Sequence, residues 1–455
     1  MKKIGLLKGI RLCKKYTNAD STKRAEIQKQ RLSELVQYAK MNSPYYHNLY
    51  HEIKNNFELC DLPPVNKVTL MENFEQWVTD YNVHLEDLYK FMENKDNIGR
   101  KFMGKYLVFT TSGSTGNPLV TIVDKTSNNM MTAINVLRSF TRKEDLISLM
   151  MHGGKTIGIF ATGGFYLGNS SVRARLLSMP WKKKQIRVTS ALLPIPQIVE
   201  ELNHFKPAML GGYPSILELL IEEQISGRLH INPVIVMTGG EYLSENLRTR
   251  LVDTFHCYVQ TSYSCTEGGT VACECSEHHF HINEDWIIVE PVDKNNNQVE
   301  DGVLSDKILL TNLFNYSQPF IRYEVTDRIV MHHERCSCGN PSPWLTIEGR
   351  TDDVVTFSES GKEIKVAPLA IYPILKEVHS IRRFQVLVYP DNKICLRIIP
   401  TLGYSKKDAF KNARLALSDF LATHSIHSVT ILLDEEEPKQ HDKSGKFKHI
   451  INCCK

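Results

Sequence analysis

The sequence predicts an α/β protein with a large N-terminal part on a mainly parallel sheet, a β-rich section and a small C-terminal unit. Between residues 105 and 240, short apolar runs that end in glycine turns alternate with helical segments. From Trp286 onwards, apolar runs are separated by turn residues alone, and after residue 349 strand and helix patterns start again. Repeated strand, glycine turn and capped helix is typical of parallel α/β sheets.

Length and composition limit the possible functions. The 455 residues suffice for two or three domains, and 42% hydrophobic with 23% charged residues is ordinary for a globular chain. A net charge of +4 is small for this length, so we expect no nucleic-acid or membrane partner. The basic start lacks the apolar core of a signal peptide, and no run reaches membrane-spanning length. Eleven cysteines, an odd number, indicate reduced thiols in a cytoplasmic protein.

The first predicted elements surround a loop rich in glycine, serine and threonine. A helix over residues 22–41 ends at Ser43-Pro44, and Pro44-Tyr45-Tyr46 is interpreted as an irregular connection with core tyrosines. Strand-like runs over 106–109 and 119–123 flank the segment 110–118, Thr-Thr-Ser-Gly-Ser-Thr-Gly-Asn-Pro. Its glycines, hydroxyls and backbone N–H groups suit phosphate oxygens, although no Walker lysine follows. A turn that closes a β-hairpin would explain the same residues.

The next elements supply the parallel sheet. The predicted elements are strands over 156–161 and 234–237, and helices over 196–205, 216–224 with Ser215 as N-cap, and 244–255 with Ser244 as N-cap. Glycine turns follow the strands, and ligands of such sheets bind at the carboxyl ends of strands. The turn after the second strand contains Gly239, Gly240 and Glu241.

Two later carboxylates are candidate ligand-binding groups. Glu267 follows a strand and stands beside a hydroxyl residue, a combination that suits Mg²⁺, although a solvated loop glutamate is the alternative. In the β-rich section, a carboxylate within residues 322–328 would accept hydrogen bonds from a ribose diol or form a surface salt bridge.

A domain boundary is predicted at residues 349–353, which gives an N-terminal domain over 1–349 and a C-terminal domain over 350–455. The C-terminal domain contains predicted strands over 354–357, 384–389, 394–399 and 429–433, and predicted helices over 368–378 and 405–424. Its basic segment 441–448 has the composition of a disordered loop.

The order of the motifs carries a family resemblance. The motifs are residues 111–118, Gly239-Gly240-Glu241, Tyr263-x-x-Thr266-Glu267, Arg322-Tyr323-x-x-x-Asp327, Gly349-Arg350-x-Asp352-Asp353 and Ser444-Gly445-Lys446. In this order they resemble the adenylate-forming superfamily of acyl-CoA synthetases over about residues 25–450. Pro44-Tyr45-Tyr46, and Leu119 where most of the superfamily has lysine, are similar to the phenylacetate–CoA ligase and coenzyme F390 synthetase branch.

The resemblance implies the adenylate-forming fold and a role for each motif residue. The residues implied to bind the phosphates of ATP are Ser112, Gly113, Ser114, Thr115 and Gly116. The residues implied to border the adenine pocket and the acid pocket are Gly239, Gly240 and Glu241. The resemblance also implies nucleotide binding by Tyr263, Asp327 and Arg350, with Asp327 accepting hydrogen bonds from the ribose hydroxyls. Lys446, Glu267 and Thr266 are the implied catalytic residues, with Glu267 as the Mg²⁺ ligand. Asp352 is the implied hinge of a mobile C-terminal domain.

The acid pocket is where this sequence departs from the family. Ser264 stands where the family usually has glycine, and Cys265 follows it, which leaves the native acid open. The candidates for the pocket wall, with core packing as the alternative, are Tyr213, Pro214, Tyr242, Thr261 and Tyr263.

A zinc site is the second candidate centre. Cys273 and Cys275 are followed by His278, His279 and His281, and later by Cys336-Ser337-Cys338. Sulfur and imidazole ligands suit tetrahedral Zn²⁺, although ordinary loops would also explain the spacing. Some members of the branch resemble this sequence here and imply a structural zinc on Cys275, His281, Cys336 and Cys338, with Cys273 in reserve.

The implied activity is an ATP-dependent ligase that joins a carboxylic acid, expected to be an aryl acid, to a thiol through an acyl-adenylate. The acceptor is coenzyme A or a carrier protein. The alternatives are an AMP-transferring enzyme of the F390 type, an acyl ligase for a carrier protein or amine in a natural-product or polysaccharide pathway, and an inactive nucleotide-binding homologue. The resemblance is also compatible with a homodimer.

Overall fold

A nine-stranded sheet occupies the middle of the chain. The computed structural model describes residues 4–111, 118–350, 354–366, 368–442 and 446–453 of the chain. The described strands are β1 (Leu107–Thr110), β2 (Val120–Val123), β3 (Thr156–Phe160), β4 (Ile186–Ser190), β5 (Met209–Gly212), β6 (Ile235–Gly239), β7 (Tyr258–Cys265), β8 (Gly269–Glu274), β9 (Phe280–Ile282), β10 (Ile287–Val292), β11 (Lys307–Asn312), β12 (Tyr323–Val325), β13 (Asp327–His332), β14 (Trp344–Arg350), β15 (Val355–Glu359), β16 (Lys362–Val366), β17 (Ile381–Tyr389), β18 (Lys393–Pro400), β19 (Thr430–Leu433) and β20 (Ile450–Asn452).

Helices separate and cover these strands. They are α1 (Leu6–Thr17), α2 (Ser21–Asn42), α3 (Pro44–Leu49), α4 (Lys67–Glu72), α5 (Phe74–Trp77), α6 (Leu85–Glu93), α7 (Lys125–Arg138), α8 (Lys143–Met151), α9 (Leu167–Ser178), α10 (Ile195–Phe205), α11 (Pro214–Ile225), α12 (Glu245–Phe255), α13 (Pro368–Lys376) and α14 (Lys406–Thr423). None of the helices within the described ranges is both long and apolar enough to cross a membrane.

The predicted α/β class is confirmed by the order of strands in the large sheet, which is β13-β14-β9-β8-β7-β6-β5-β3-β4. Strands β4, β3, β5, β6 and β7 are parallel neighbours, and the remaining pairs of this sheet are antiparallel. The β-rich section adds the antiparallel sheet β10-β11-β12. Helices α10, α11 and α12 pack their apolar side chains on one face of the parallel strands, against residues such as Ile157, Leu210 and Val236.

The N-terminal helices pack against the β-rich section. The Tyr46 hydroxyl and the Trp77 indole N–H both donate to the backbone carbonyl of Pro319, over 3.1 and 2.7 Å. The core position of Tyr46 is therefore confirmed, but the irregular connection predicted at 44–46 is wrong. Ser43 caps helix α3 by accepting a hydrogen bond from the Tyr46 N–H. Pro44 suits the first helical position because a backbone N–H at that position has no partner within the helix, and proline lacks this group.

The other predicted elements agree with the structure except at one cap. Ser244 caps α12 as predicted, accepting from the Leu247 N–H over 3.3 Å. Ser215 does not cap α11, because Pro214 already occupies the first helical turn and Tyr213 is the capping residue. The strands β1 and β2 pair as an antiparallel hairpin, and residues 112–117 of the loop between them lie outside the described residues.

The C-terminal part has its own sheets and core. Strands β15 and β16 form a hairpin, and the second sheet has the order β19-β18-β17-β20. Buried side chains from these strands, α13 and α14 form one apolar cluster. Arg350 is the last residue of β14, so the predicted boundary coincides with the end of the last strand of the large sheet. The division into domains at this point stays a prediction.

Candidate active site

One cleft collects the motif residues at the carboxyl ends of the parallel strands. Strands β6 and β7 end at Gly239 and Cys265, and the turns that follow them contain Gly240, Glu241, Thr266 and Glu267. Asp327 begins β13 and lies opposite Arg350 of β14 in the register of the two strands. All of these residues line the same cleft, together with Lys446 from the C-terminal part.

Asp327 is held between an aromatic hydroxyl and a guanidinium. The Tyr263 hydroxyl donates to Asp327 Oδ2 over 2.5 Å, and Arg350 Nε lies 3.3 Å from Asp327 Oδ1. Arg350 Nη2 also donates to the Thr326 hydroxyl over 2.7 Å. Burial and the nearby Asp327 charge raise the pKa of Tyr263 well above its ordinary value, so the hydroxyl remains a donor. The Asp327 carboxylate is thereby fixed toward the cleft.

Glu267 lies close to this group. Burial raises the pKa of its carboxyl above the ordinary value, and the Asp327 charge adds to the increase. The Tyr323 hydroxyl and the Cys265 thiol are neighbours of the Glu267 side chain. The side-chain amide of Asn312 donates to the Glu267 backbone carbonyl over 2.8 Å and fixes the turn. Carboxylates near a strand end are the hard oxygen donors that Mg²⁺ prefers, so the donor chemistry fits this ion.

Glu241 joins the large sheet to the C-terminal part. Its carboxylate accepts from the Ser215 N–H over 3.0 Å, from the Ser215 hydroxyl over 3.1 Å and from the Phe447 N–H over 2.7 Å. Burial raises the pKa of Glu241, and these hydrogen bonds oppose the increase. Glu241 therefore positions the segment that carries Lys446.

Lys446 reaches the cleft beside Gly240. The backbone of Gly240 has φ +80°, a left-handed conformation that side chains disfavour, and a Cβ atom there would lie 3.4 Å from Lys446 Nζ. The lysine Nζ is 5.9 Å from the centroid of the Tyr213 ring. Burial lowers the pKa of Lys446, while the nearby Glu241 carboxylate favours the charged form. This glycine thus leaves room for the ammonium group inside the cleft.

The predicted site residues divide into two groups. The structure brings together Gly239, Gly240, Glu241, Tyr263, Thr266, Glu267, Asp327, Arg350 and Lys446. Ser112, Gly113, Ser114, Thr115, Gly116 and the hinge residue Asp352 lie outside the described residues. Sequence reasoning missed Ser215 as the hydrogen-bond partner of Glu241 and Tyr323 as a neighbour of Glu267. Tyr323 belongs to the motif Arg322-Tyr323-x-x-x-Asp327, and its place in this motif is the signal that could have identified it as a site residue.

A second cluster joins three cysteines and a histidine away from the motif residues. The ligand atoms of Cys275, His281, Cys336 and Cys338 all lie within 4.8 Å of one another. The sulfur atoms of Cys275 and Cys336 are 3.8 Å apart, and His281 Nε2 is 3.3 Å from the sulfur of Cys338. A tetrahedral Zn²⁺ with Zn–S bonds of about 2.3 Å requires sulfur atoms about 3.8 Å apart. The cluster therefore fits zinc in both ligand type and spacing.

The surroundings of this cluster orient its histidine. His281 Nδ1 is 2.8 Å from the Ser342 carbonyl, which leaves Nε2 directed at the cysteines, as in many zinc sites. His279 stacks on the Trp344 ring at 3.7 Å and lies outside the four-residue set. The reserve ligand Cys273 also lies outside it and contacts the Asn283 amide instead. The four ligands chosen from the resemblance are thus the four that the fold brings together.

Comparisons with known proteins find curated relatives of the chain. No model of a protein family matches the chain. The phenylacetate–coenzyme A ligase of Thermus thermophilus is 24% identical over 381 residues, which cover 80% of this chain and 77% of the relative. Protein CapK of Staphylococcus aureus is 22% identical over 316 residues, 68% of this chain and 63% of the relative.

Solved structures show the same fold over nearly the whole chain. A 2-hydroxyisobutyryl-CoA ligase in the postadenylation state with 2-HIB-AMP gives a TM-score of 0.68 at 18% identity, covering 96% of this chain and 91% of that one. The same ligase with 2-HIB-AMP and CoA in the thioesterification state gives 0.58 at 19% identity. The first of these two structures therefore superposes more closely on this chain.

The fold, the motif residues in the cleft and the similarity to a phenylacetate–CoA ligase together indicate an adenylate-forming ligase of the acid–thiol class. The chain is similar in sequence to a phenylacetate–CoA ligase and has the fold of acyl-CoA ligases of the adenylate-forming superfamily.

Proposed function

We propose that this enzyme activates an aryl carboxylic acid with ATP and transfers the acyl group from the acyl-adenylate to the thiol of coenzyme A. The observation that carries the proposal is the position of Lys446, which enters from the C-terminal part into the cleft that contains Glu267, Asp327 and Arg350. Two relatives support the acceptor, since a phenylacetate ligase and a 2-hydroxyisobutyryl ligase are both named for coenzyme A. The first of them supports an aryl acid.

The chemistry explains why a buried lysine is required. An acid carboxylate oxygen attacks the α-phosphorus of ATP, and the bond to pyrophosphate breaks. Two anionic groups must approach, so the barrier is lowered mainly by positioning and by opposite charge. Lys446 would donate to the acid carboxylate and to an α-phosphate oxygen, and the nearby carboxylate of Glu241 favours the charged form of the lysine.

The remaining roles follow from the same arrangement. Asp327, fixed by Tyr263 and Arg350, would accept from the ribose hydroxyls. Gly239, Gly240 and Glu241 would border the adenine and the acid, and Thr266 would lie near the α-phosphate. The segment Ser112–Gly116 would hold the β- and γ-phosphates.

Glu267 is the proposed Mg²⁺ ligand. When bound, the ion would neutralise charge on the leaving pyrophosphate. Tyr323 is a neighbour of this carboxylate, and the Asn312 amide holds the backbone of the turn that carries it.

The cysteine and histidine cluster is proposed as a structural zinc site. Its four protein ligands leave no open position, so it would stabilise the fold and take no part in the chemical step. It would connect the end of β8 to β9 and to the segment that follows β13.

We further propose that residues 350–455 form a mobile domain that turns about Asp352 between the two half-reactions. In the present arrangement Lys376 Nζ donates to Glu218 Oε1 of α11 over 2.6 Å. Arg250 also donates to Glu218, over 2.9 Å. Burial would raise the pKa of Glu218, but Lys376 holds it below its ordinary value. This ion pair would favour the arrangement that places Lys446 in the cleft.

Glu218→Gln and Lys376→Met are therefore each expected to lower pyrophosphate exchange by about 10²-fold or more, because breaking a buried ion pair costs roughly 3–5 kcal/mol. The double variant should lose little more than either single variant. Thioester formation from supplied acyl-adenylate and CoA should remain at the wild-type rate. Equal losses in both half-reactions would contradict a role in docking the C-terminal part.

The direct test of the proposed function is acid-dependent exchange of pyrophosphate into ATP, measured for aryl, aliphatic and amino acids. We expect exchange with aryl acids and, after coenzyme A is added, an acyl-CoA product. Exchange with aliphatic acids alone would contradict the aryl substrate. An acyl product formed only with a carrier protein would contradict the CoA acceptor.

A further inference from the structure

The parallel sheet has one face that helices α10–α12 cover and a second face that lines the cleft. On the second face, Gly158 of β3 and Gly211 of β5 are direct partners in the parallel register. A Cβ atom at Gly158 would lie 2.4 Å from Phe160 Cε2, and its three nearest heavy atoms would all belong to that ring. A Cβ atom at Gly211 would lie 3.6 Å from Phe160 Cζ. The Phe160 ring thus lies on a floor of two glycines.

Phe160 also contacts the aromatic residue next to Lys446. Its ring packs edge-to-face against Tyr213, with centroids 5.8 Å apart and an angle of 71°. The Ala161 N–H donates to the Tyr213 hydroxyl over 3.3 Å, so the ring of Tyr213 is fixed to the end of β3. A Cβ atom at Gly240 would lie 3.2 Å from Tyr213 Cε1 and 3.4 Å from Lys446 Nζ. Lys446, Tyr213 and Phe160 therefore follow one another along the cleft.

From this order we propose that Phe160 is the end wall of the acid pocket and limits the substrate to compact acids, of about one ring in length. The inference rests on the proposed function. An acid whose carboxylate meets Lys446 would extend along the Tyr213 ring and stop at Phe160. Because neither glycine has a side chain, the space above them is open to the Phe160 ring. The three atoms nearest to a Cβ at Gly158 all belong to this ring. Removal of the ring would open the pocket down to the sheet backbone.

The length limit is tested with pairs of acids that share a carboxyl end. Pyrophosphate exchange is measured with benzoate against 4-butylbenzoate, and with butanoate against decanoate, to give kcat/KM for each. The wild type should prefer the shorter acid of whichever pair it accepts. Phe160→Ala should lower that preference at least tenfold, since one methylene more or less in an apolar pocket changes selectivity by about 10- to 200-fold.

Two further variants make the outcome decisive. Phe160→Leu keeps apolar volume at the site if the alanine variant is unstable, and it should lower the preference in the same direction. Phe160→Tyr keeps the ring and should retain the wild-type preference. If the alanine and leucine variants keep both the wild-type preference for the shorter acid and exchange with that acid, the inference about Phe160 is overturned and the proposed function is not. Absence of exchange with every acid in the wild type would overturn the proposed function and the inference with it.

Discussion

Lys446→Ala is expected to lower acid-dependent pyrophosphate exchange by about 10²- to 10³-fold, the usual loss when one donor to a developing charge is removed. Lys446 lies beside Gly240 at the position where the carboxylate and the α-phosphate would meet. The alanine variant leaves those two anions without this opposite charge. Exchange rates at saturating ATP, for the variant and the wild type, provide the measurement.

Two comparisons separate this effect from a general loss of structure. Lys411→Ala removes an exposed lysine on α14 and should leave exchange unchanged. Supplied acyl-adenylate should still react with coenzyme A in the Lys446 variant, because the lysine is assigned to adenylation only. Normal exchange in Lys446→Ala would show that another cation neutralises the reacting groups.

Cys336→Ser should reduce zinc content from about one per chain to nearly zero and lower the apparent melting temperature by on the order of 5–10 °C. Cys336 lies 3.8 Å from Cys275 in the four-residue cluster, and loss of a metal is among the few single changes that destabilise by several kcal/mol. The measurements are metal analysis of the purified protein and thermal unfolding with and without a chelator.

The exposed Cys60 offers a matched control, and Cys60→Ser should change neither zinc content nor melting temperature. In Cys336→Ser, exchange measured well below the melting temperature should be largely retained, because the cluster is assigned a structural role. A wild-type protein that is purified without zinc, and that does not gain stability when zinc is added, would refute the zinc proposal.

Local chemistry in the sequence was sufficient for most elements of the fold. Ser244 before an apolar periodic segment predicted the start of α12, and glycine turns after apolar runs predicted the parallel strands. The errors occurred where two local preferences compete. Serine is favoured as a cap at position 215, but the preceding Pro214 starts α11 one residue earlier. Pro44 was interpreted as an interruption, whereas it begins α3.

The site was predictable only through its motifs. Asp327 and Arg350 are neighbours because β13 and β14 pair, and no spacing rule places Lys446 beside Gly240. Contacts of this kind depend on how distant segments pack. The sequence contains only a weak signal for the role proposed for Phe160. Gly158 and Phe160 are two residues apart and therefore share one face of a strand, but the partner Gly211 belongs to another strand.

In the proposed reaction, this enzyme forms an acyl-adenylate before any acceptor is present. A single-turnover reaction of enzyme, ATP, Mg²⁺ and an accepted acid, without coenzyme A, tests it most directly. We predict one bound acyl-adenylate and one pyrophosphate per active enzyme, with AMP released only after coenzyme A is added. Formation of ADP and phosphate, or transfer of AMP to an acceptor without consumption of an acid, would contradict the account.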